Sequence, residues 1–408
     1  MAGLPEDVAG ALYDTGATTL HRLLGLRGSG KPRHDRFNPL PHDMVVVDET
    51  SMVSLPLMAR LLDAVRPDAT LVLVGDPFQL VSVEAGAVLG EIVGPAATEA
   101  AEGPLAADIV LLERVHRFGS DSAIAALADA IRTGDADRAV DLLRHDKTSE
   151  LSWVDDDDDG GIDRLHREAA AAAVEVDRAA YAGDAEAGLR LASGLKVLCA
   201  TRLGPLGVYR WSDRIETLVA REMPEVGSGR RWYIGRPIII TSNDYLNRLF
   251  NGDIGLVVAG DNGPVATFPD PSGIRELAMS QLGDVETWWA MTIHKSQGSE
   301  FRRVIVTLPP PPSPILTREL LYTASLAPRS RSPWWPPSHH CAPRSIAPWP
   351  ELQALARSSG LDRLSAVPDQ RPWLGAPGVT AEGPRRHPES ASRKLRNRPS
   401  PFLVTRLI

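Results

Sequence analysis

Short apolar runs and helical repeats alternate along the first two thirds of the chain. The runs 44–47, 71–74 and 304–308 are short, apolar and rich in β-branched residues, as is typical of strands covered on both faces in a parallel sheet. Between the first two, residues 55–65 place apolar side chains at helical spacing behind Ser54, a residue type that favours the N-cap. Strand, crossover helix and strand in this order predict a doubly wound α/β domain, which binds ligands at the carboxyl ends of its strands.

The pattern then changes character twice. Helical spacing over 121–144 gives way at 155–161 to an acidic run that ends in two glycines, which we place in or near a domain boundary. A second α/β unit is predicted from the apolar run 196–200 and a helix over 208–221. Residues 236–282 contain short strands separated by Asn-Gly turn pairs, and they predict a small β-barrel inserted into the second domain.

Periodicity is lost beyond Ala324. Residues 325–408 are rich in proline, arginine, serine and tryptophan, so we expect a disordered tail without a core of its own. The predicted domain plan is an incomplete first domain over 1–150, a linker or helical segment over 151–195, a second domain over 196–324 with the insertion at about 236–285, and the tail over 325–408.

Composition narrows the class of protein. Hydrophobic residues make up 43% of the chain and charged residues 24%, as in soluble globular proteins. No run approaches the roughly 20 apolar residues of a membrane span, and the N-terminus does not resemble a signal peptide, so we expect a cytoplasmic protein. Cys199 and Cys341 are too far apart in sequence to indicate a disulfide framework or a metal cluster. The net charge of −8 argues against a protein that coats nucleic acid, but it is compatible with a local channel that holds one strand.

Two acidic side chains follow the first apolar run, in the sequence VVVDETS at 45–51. At the exit of a buried strand, one carboxylate, from Asp48, can help to hold Mg²⁺, and the next, from Glu49, can polarise an attacking water. The alternative is that both residues only cap the following helix, whose N-terminus favours acids.

A second polar sequence, GDPFQL at 75–80, follows the next apolar run. Glycine permits a sharp turn, and the amide of Gln79 can accept a hydrogen bond from water and donate one to a phosphate oxygen. On its own, this sequence could form an ordinary turn. Because it follows the acidic pair at the spacing of one strand–helix–strand unit, it indicates a nucleotide site.

Five motifs in one order resemble those of the superfamily 1B helicases, most closely the RecD family, over about residues 10–324. The matching segments are ATTLHRLLG at 17–25, DETS at 48–51, GDPFQLVSVEAGAVLG at 75–90, LERVHRF at 112–118 and AMTIHKSQGSEF at 290–301. The resemblance implies an α/β fold with two RecA-like parallel-sheet domains, the first incomplete, and an SH3-like β-barrel in the second. It also implies ATP and Mg²⁺ as cofactors and DNA as substrate. The chain would be a subunit of an ATP-dependent 5′→3′ DNA helicase, the exonuclease V complex, with RecB- and RecC-like subunits as partners, and it would act in double-strand-break repair and recombination.

The resemblance also assigns roles to individual residues. The catalytic residues would be Asp48, Glu49, Gln79 and Arg117, with Asp48 on the metal and Arg117 at the γ-phosphate unless it is only a surface arginine. Three further residues would lie on the nucleotide side, namely Asp76, Gly298 and Glu300. The DNA-binding set would be Thr19, His21, Asn251, Thr292, His294 and Lys295. Trp288 and Trp289 either stack on bases or pack in a core.

Two parts of the family pattern are not found. The RecD family has a glycine-rich lysine loop before its first motif, and the sequence GLRGSGKP at 25–32 matches only the spacing, because Pro32 stands where the magnesium-binding hydroxyl is needed. The last motif stops at Ala324, where a Thr-Arg pair is expected, and one possible codon path restores that pair in a shifted frame.

We therefore expect an N-terminally truncated, frameshifted family member without ATPase activity of its own. The alternatives are a non-catalytic DNA-binding or assembly remnant and an unstable, decayed gene product. Conjugative helicases rank lower, because no relaxase histidine cluster is found in the sequence.

Overall fold

The computed structural model of the protein describes residues 17–26, 30–81, 88–94, 105–112, 118–119, 121–148, 150–155, 158–223, 231–270, 273–310, 313–328 and 402–405. The α-helices within these ranges are α1 (Leu20–Leu23), α2 (Leu55–Ala64), α3 (Val88–Val93), α4 (Ala123–Thr133), α5 (Ala136–His145), α6 (Asp159–Tyr181), α7 (Ala185–Ala192), α8 (Val208–Glu222) and α9 (Arg318–Leu326). The strands are β1 (Met44–Val47), β2 (Thr70–Leu73), β3 (Leu195–Cys199), β4 (Pro237–Ile240), β5 (Ile254–Gly260), β6 (Gly263–Asp270), β7 (Gly273–Leu277), β8 (Val285–Thr287), β9 (Ala290–Thr292), β10 (Arg303–Thr307) and β11 (Phe402–Thr405). Short 3₁₀ helices cover Thr50–Met52, Ala106–Asp108, Met279–Gln281 and His294–Ser296.

The first body is built on a parallel sheet with the strand order β11-β1-β2. Helix α2 connects β1 to β2 and buries Met58 and Leu61 in one cluster with Val45 and Val47 of β1. The strand–helix–strand unit predicted from the apolar pattern is therefore observed. Ser54 occupies the N-cap of α2 in an extended conformation, although its side chain makes no capping hydrogen bond.

Strands β2 and β11, which flank β1, differ from what the sequence predicts. Strand β2 is not covered on both faces, because Thr70 is exposed, Leu71 to Leu73 are half-buried and Val74 is 40% exposed. Among the described strands β1 alone pairs with β2, which makes β2 an edge strand. In the region expected to be a disordered tail, the backbone of β11 pairs with β1 in parallel.

The second body contains a parallel sheet with the order β10-β3-β9. Its central strand, β3, is almost wholly buried between α6, α7 and α8, which accounts for the apolar residues at 197–200. Burial also raises the pKa of the Cys199 thiol to about 12. The carboxylate of Asp158 accepts a 2.8 Å hydrogen bond from the N–H of Gly161, so the end of the acidic run begins the long helix α6.

A third sheet is antiparallel, with the order β7-β6-β5-β4-β8, and lies in the chain between β3 and β9. Gly260 pairs with Gly263 across the tight turn between β5 and β6, at one of the two predicted Asn-Gly pairs. The sheet has a small core that includes Ile238, Val257 and Phe268. These strands are the short strands predicted over 236–282.

Helices α6 and α7 hold the antiparallel sheet against the second parallel sheet. Both helices contact β5 as well as β3. Gly188 of α7 permits this close approach, because a Cβ at that position would clash with Cδ2 of Leu256. Leu256 and Val258 of β5 accordingly belong to the same apolar cluster as β3. None of the helices that the structure describes has the length and apolarity to cross a membrane.

Candidate functional site

The acidic pair lies at the carboxyl end of β1 in a strained turn. Glu49 adopts left-handed backbone angles (φ 53°, ψ 40°), which are uncommon for a residue with a Cβ and often mark functional sites. Its N–H donates a 2.9 Å hydrogen bond to Oδ1 of Asp48. The hydroxyl of Thr50 donates to the carbonyl of Val47 at 3.0 Å, and this bond holds the turn against the end of the strand.

The loop after β2 packs directly on that turn. A Cβ at Gly75 would lie only 3.0 Å from the backbone nitrogen of Thr50, so glycine is the residue that fits. Within the loop, Asp76 accepts hydrogen bonds from the N–H of Phe78 at 3.0 Å and from Nε2 of Gln79 at 3.3 Å. Asp48, Glu49, Asp76 and Gln79 therefore lie on two adjacent loops at one edge of the sheet.

The same edge faces the second body. Nε2 of Gln297 donates a 2.7 Å hydrogen bond to the carbonyl of Leu80, and the N–H of Leu80 donates to Oγ1 of Thr323 at 2.9 Å. Gly298, with a left-handed φ of 72°, comes so close to Glu49 that a Cβ on it would lie 3.7 Å from Oε1 of that residue. The structure thus brings the sequence-predicted Glu49 and Gly298 together across the two bodies.

The face of the second body beside this junction carries a shallow cleft. Thr292 ends β9, and its Oγ1 accepts a 3.2 Å hydrogen bond from the N–H of Lys295. The ammonium of Lys295 lies 2.6 Å from Oε2 of Glu286, and both side chains are partly exposed. His294 is half-buried, and this burial lowers the pKa of its imidazole.

Two lining residues of the cleft were missed in the sequence. Arg202 and Tyr209 line it together with Lys295, Thr292 and Glu286. Tyr209 is 51% exposed, and Arg202 is exposed as well. Their position just beyond the carboxyl end of β3 is the signal that could have found them, because ligands of α/β sheets bind at that end.

The remaining predicted site residues are more dispersed. Thr19 is the N-cap of α1 and accepts a 3.3 Å hydrogen bond from the N–H of Arg22, and His21 is exposed on that helix. Asn251 and Glu300 are exposed in the second body. Arg117 lies outside the described residues.

The tryptophan pair is part of the core. Trp288 is 1% exposed and Trp289 is 7% exposed. Their indole nitrogens donate to Sδ of Met291 at 3.3 Å and to the hydroxyl of Tyr233 at 3.2 Å. Neither ring face is open to a nucleotide. The interpretation that these residues stack on bases is therefore wrong, and the alternative, packing in a core, is correct.

The GxxxxGK sequence at 25–31 does not lie between a strand and a helix. It begins at Gly25, which ends the turn after α1, and Lys31 is exposed in the irregular segment that leads to β1. Residues 27–29 lie outside the described ranges. A phosphate loop joins a strand to a helix N-terminus, and neither is observed among the described neighbours of this sequence.

Comparisons with known proteins give matches in both bodies. Residues 6–154 match the AAA domain family and residues 287–325 match the UvrD-like helicase C-terminal domain. The chain is 46% identical over 327 residues to the RecBCD enzyme subunit RecD of Mycobacterium tuberculosis, an alignment that covers 79% of this chain and 54% of that protein. It is 47% identical over 317 residues to the RecD subunit of Mycolicibacterium smegmatis, with 77% and 54% covered. The structure of a Bacteroides Pif1 helicase with ADP-AlF3 and ssDNA is similar with a TM-score of 0.42 and 16% identity, over 85% of this chain and 84% of that one.

The two family matches indicate the class of protein. An AAA domain followed in the same chain by a UvrD-like helicase C-terminal domain is a helicase-type architecture. Given the identity to the mycobacterial RecD subunits over more than three quarters of its length, the chain belongs to the RecD family, as the five motifs indicated. It spans about half the length of the curated relatives that it matches.

Proposed function

We propose that the chain acts as the motor core of a 5′→3′ DNA helicase subunit in a RecBCD-type complex. In this proposal the two parallel-sheet bodies are RecA-like domains, and the antiparallel sheet is an SH3-like insertion. The observation that carries the proposal is the approach of Glu49 to Gly298 across the two bodies. A carboxylate suited to polarising water thus lies close to the loop that follows Thr292 and Lys295, and in this proposal a change at the nucleotide alters the position of that loop.

The carboxylates of the site suit Mg²⁺, and through that cation the site suits a nucleoside triphosphate. Mg²⁺ prefers carboxylate and water oxygens, and Asp48 offers a half-buried carboxylate at the end of β1. In the proposed mechanism Asp48 helps to hold the metal, while Glu49 orients and polarises the attacking water. Gln79, Asp76, Glu300 and Arg117 are assigned to the nucleotide side. Bound ATP would supply the free energy that moves the two bodies.

The cleft of the second body is assigned to the single strand. The ammonium of Lys295 is paired with the carboxylate of Glu286, and both side chains are partly exposed. A DNA phosphate could replace that carboxylate as the anionic partner of Lys295. Thr292 and His294 lie beside it and can donate or accept hydrogen bonds with phosphate and sugar oxygens. Thr19, His21 and Asn251 are further contacts of this proposal.

The DNA-binding part is tested by titrating the chain against a labelled oligothymidylate and following fluorescence anisotropy at several salt concentrations. We expect binding that weakens as salt increases, because phosphate contacts release counterions. Lys295→Ala should weaken binding and flatten the salt dependence by about one phosphate contact. Lys147→Ala removes an exposed lysine far from the cleft in sequence and is the matched control. Binding that is equal in wild type and Lys295→Ala would contradict the assignment of the cleft.

A second function, a non-catalytic DNA-binding or assembly module, is favoured by one observation. Pro32 stands in the GxxxxGK sequence where a magnesium-binding hydroxyl is needed, and that sequence follows a helix. For the 408-residue chain alone we expect no DNA-stimulated ATP hydrolysis. Phosphate release in wild type that is lost in Glu49→Gln would refute the non-catalytic function. DNA binding without turnover, together with capture by RecB- and RecC-like subunits, would support it.

A further inference from the structure

The loop that joins β4 to β5 places apolar side chains in solvent. We call residues 241–253 the β4–β5 loop. Tyr245 is 73% exposed, Leu246 is 96% exposed and Phe250 is 37% exposed. The rings of Tyr245 and Phe250 meet edge to face, with their centroids 6.2 Å apart. Three neighbouring apolar side chains on a surface loop are unfavourable in water, and a contiguous group of this kind commonly marks a binding site.

The loop is built to hold these side chains in one conformation. Asp244 and Leu249 pair through two backbone hydrogen bonds of 2.7 and 2.9 Å, which close the tip. Oδ1 of Asp244 accepts from the N–H groups of Leu246 and Asn247, both at 3.0 Å. Nη1 of Arg275, on strand β7, donates a hydrogen bond to the carbonyl of Asn247 at 2.7 Å. The side chain of Asn247 also donates to the carbonyl of Gln281 at 2.9 Å.

One residue of the tip is held in a conformation that costs energy. Arg248 has a φ of 50°, in the left-handed region that side chains with a Cβ rarely adopt. Arg248 is exposed, and its carbonyl accepts a hydrogen bond from Arg275. The exposed apolar group therefore has a cation beside it. The one carboxylate at the tip, Asp244, is engaged by the loop's own N–H groups, and these bonds lower its pKa.

The loop continues the edge of the cleft. Ile239 of β4 lines the cleft together with Glu286 and Lys295, and Ile239 pairs with Glu286 across the antiparallel ladder. From Ile239 the chain runs five residues to Asp244, a span of roughly 16 Å in extended conformation. A strand of nucleic acid that leaves Lys295 along β4 would reach the tip after a few nucleotides.

We propose that the β4–β5 loop binds the bases of single-stranded DNA. Tyr245 stacks on one base, Leu246 inserts beside it, and Arg248 faces the backbone. Such a combination of an aromatic ring, an apolar wedge and a cation is typical of sequence-independent strand binding. A stable protein interface needs about 800 Å² from each partner, far more than three side chains supply, whereas a base needs a single ring face. The inference rests on the proposed function, which brings a strand to the cleft.

The test compares two oligothymidylates of about 12 nucleotides, a length that covers a typical strand-binding site. One is intact and the other carries abasic residues at every position. The loop variant is Tyr245→Ala combined with Leu246→Ala, and the matched control is Phe37→Ala, because Phe37 is an 88% exposed aromatic residue of the first body. We expect the loop variant to bind the intact strand roughly 5- to 100-fold more weakly, as stacking of one base predicts, with no change on the abasic strand. Phe37→Ala should bind both strands as wild type does.

A second measurement locates the contact directly. Irradiation of wild type with a strand that contains 5-iododeoxyuridine should crosslink it to Tyr245 or Phe250, read out by mass spectrometry of the tryptic peptides. Thermal melting of the loop variant should match wild type, since the removed side chains are exposed.

The outcomes separate the two proposals. If Lys295→Ala weakens binding while the loop variant binds the intact strand like wild type, the loop inference is wrong and the proposed function stands. Equal losses on intact and abasic strands would make the loop a backbone contact and overturn base stacking. Loss of capture by RecB- or RecC-like subunits with unchanged DNA binding would identify a protein interface instead. A wild-type chain that binds no DNA would overturn both proposals.

Discussion

The side-chain amide of Gln297 donates a 2.7 Å hydrogen bond to the backbone carbonyl of Leu80, 217 positions earlier in the chain. The N–H of the same Leu80 donates to Oγ1 of Thr323. Both polar groups of one buried residue in the first body are therefore satisfied by the second body. A partner lost at this point leaves a buried group without a hydrogen bond.

We expect Thr323→Val to lower the free energy of unfolding by about 1 to 3 kcal/mol, because the N–H of Leu80 then lacks its acceptor. Hydrogen exchange of the Leu80 amide, measured by NMR or mass spectrometry, should become faster. The control is Thr133→Val, which removes a hydroxyl that bonds only within the last turn of α4 and should change stability by less than about 0.5 kcal/mol. Unaltered protection of Leu80 in Thr323→Val would show that the two bodies separate in solution.

The left-handed backbone of Glu49 predicts an unusual order of stabilities. Asparagine tolerates this conformation better than alanine, so Glu49→Asn should be more stable than Glu49→Ala by about 1 kcal/mol, although both variants lose the carboxylate. Urea denaturation followed by circular dichroism gives the comparison. At Glu175, an exposed glutamate in the middle of α6, alanine should instead be the more stable choice, because it has the higher helix propensity. If alanine is the more stable choice at position 49, the turn is not left-handed in solution.

Asp177 predicts a dependence of stability on pH. Its side chain is fully buried in α6, and among the described residues neither carboxylate oxygen has a hydrogen-bond partner. Burial, and then the charge of Glu216, raises the pKa of this carboxyl from 3.8 to about 8. Between these two values the folded state holds a proton that the unfolded chain has released, so stability falls as pH rises through this window, by up to about 1.4 kcal/mol per pH unit.

The variant Asp177→Asn removes that proton linkage. We expect its melting temperature relative to wild type to increase steadily from pH 5 to pH 8 and then to level off. Asp163→Asn, on the same helix but with an exposed side chain, should keep the wild-type profile. A constant difference between Asp177→Asn and wild type across this range would mean that Asp177 is ionised in the folded state.

Lys196 predicts the result of replacing a buried cation. Its ammonium lies 3.3 Å from the centre of the Trp288 ring and donates a 2.6 Å hydrogen bond to the Trp288 carbonyl, and burial lowers its pKa well below the usual value. Lys196→Met keeps most of the volume and removes the cost of burying a charge, so it should change stability by less than about 1.5 kcal/mol. Lys196→Ala leaves a cavity and should cost about 2 to 5 kcal/mol. Chemical denaturation of both variants decides, and a methionine variant as unstable as the alanine one would show that the ammonium itself is required.

The sequence could predict what depends on local pattern. The run 44–47 and its acidic successors were found because a buried strand and the residues at its exit have a recognisable order. The exposure of β2 could not be found, since it depends on which strands lie beside it. The contact of Gln297 with Leu80 joins residues far apart in the chain, and nothing in either neighbourhood indicates it. The burial of Trp288 and Trp289 could not be predicted either, because the same pair of aromatic residues occurs in cores and in binding sites.

The packing of α6 and α7 against both sheets of the second body has a mechanical consequence. The 23 residues of α6 span about 35 Å and contact β3 and β5, so the two sheets cannot slide past one another without breaking a shared core. Tyr245, in the loop between two strands of the antiparallel sheet, is thus attached to the second parallel sheet through this shared core. A rotation of the second parallel sheet would therefore carry the antiparallel sheet and its loops along as one rigid piece.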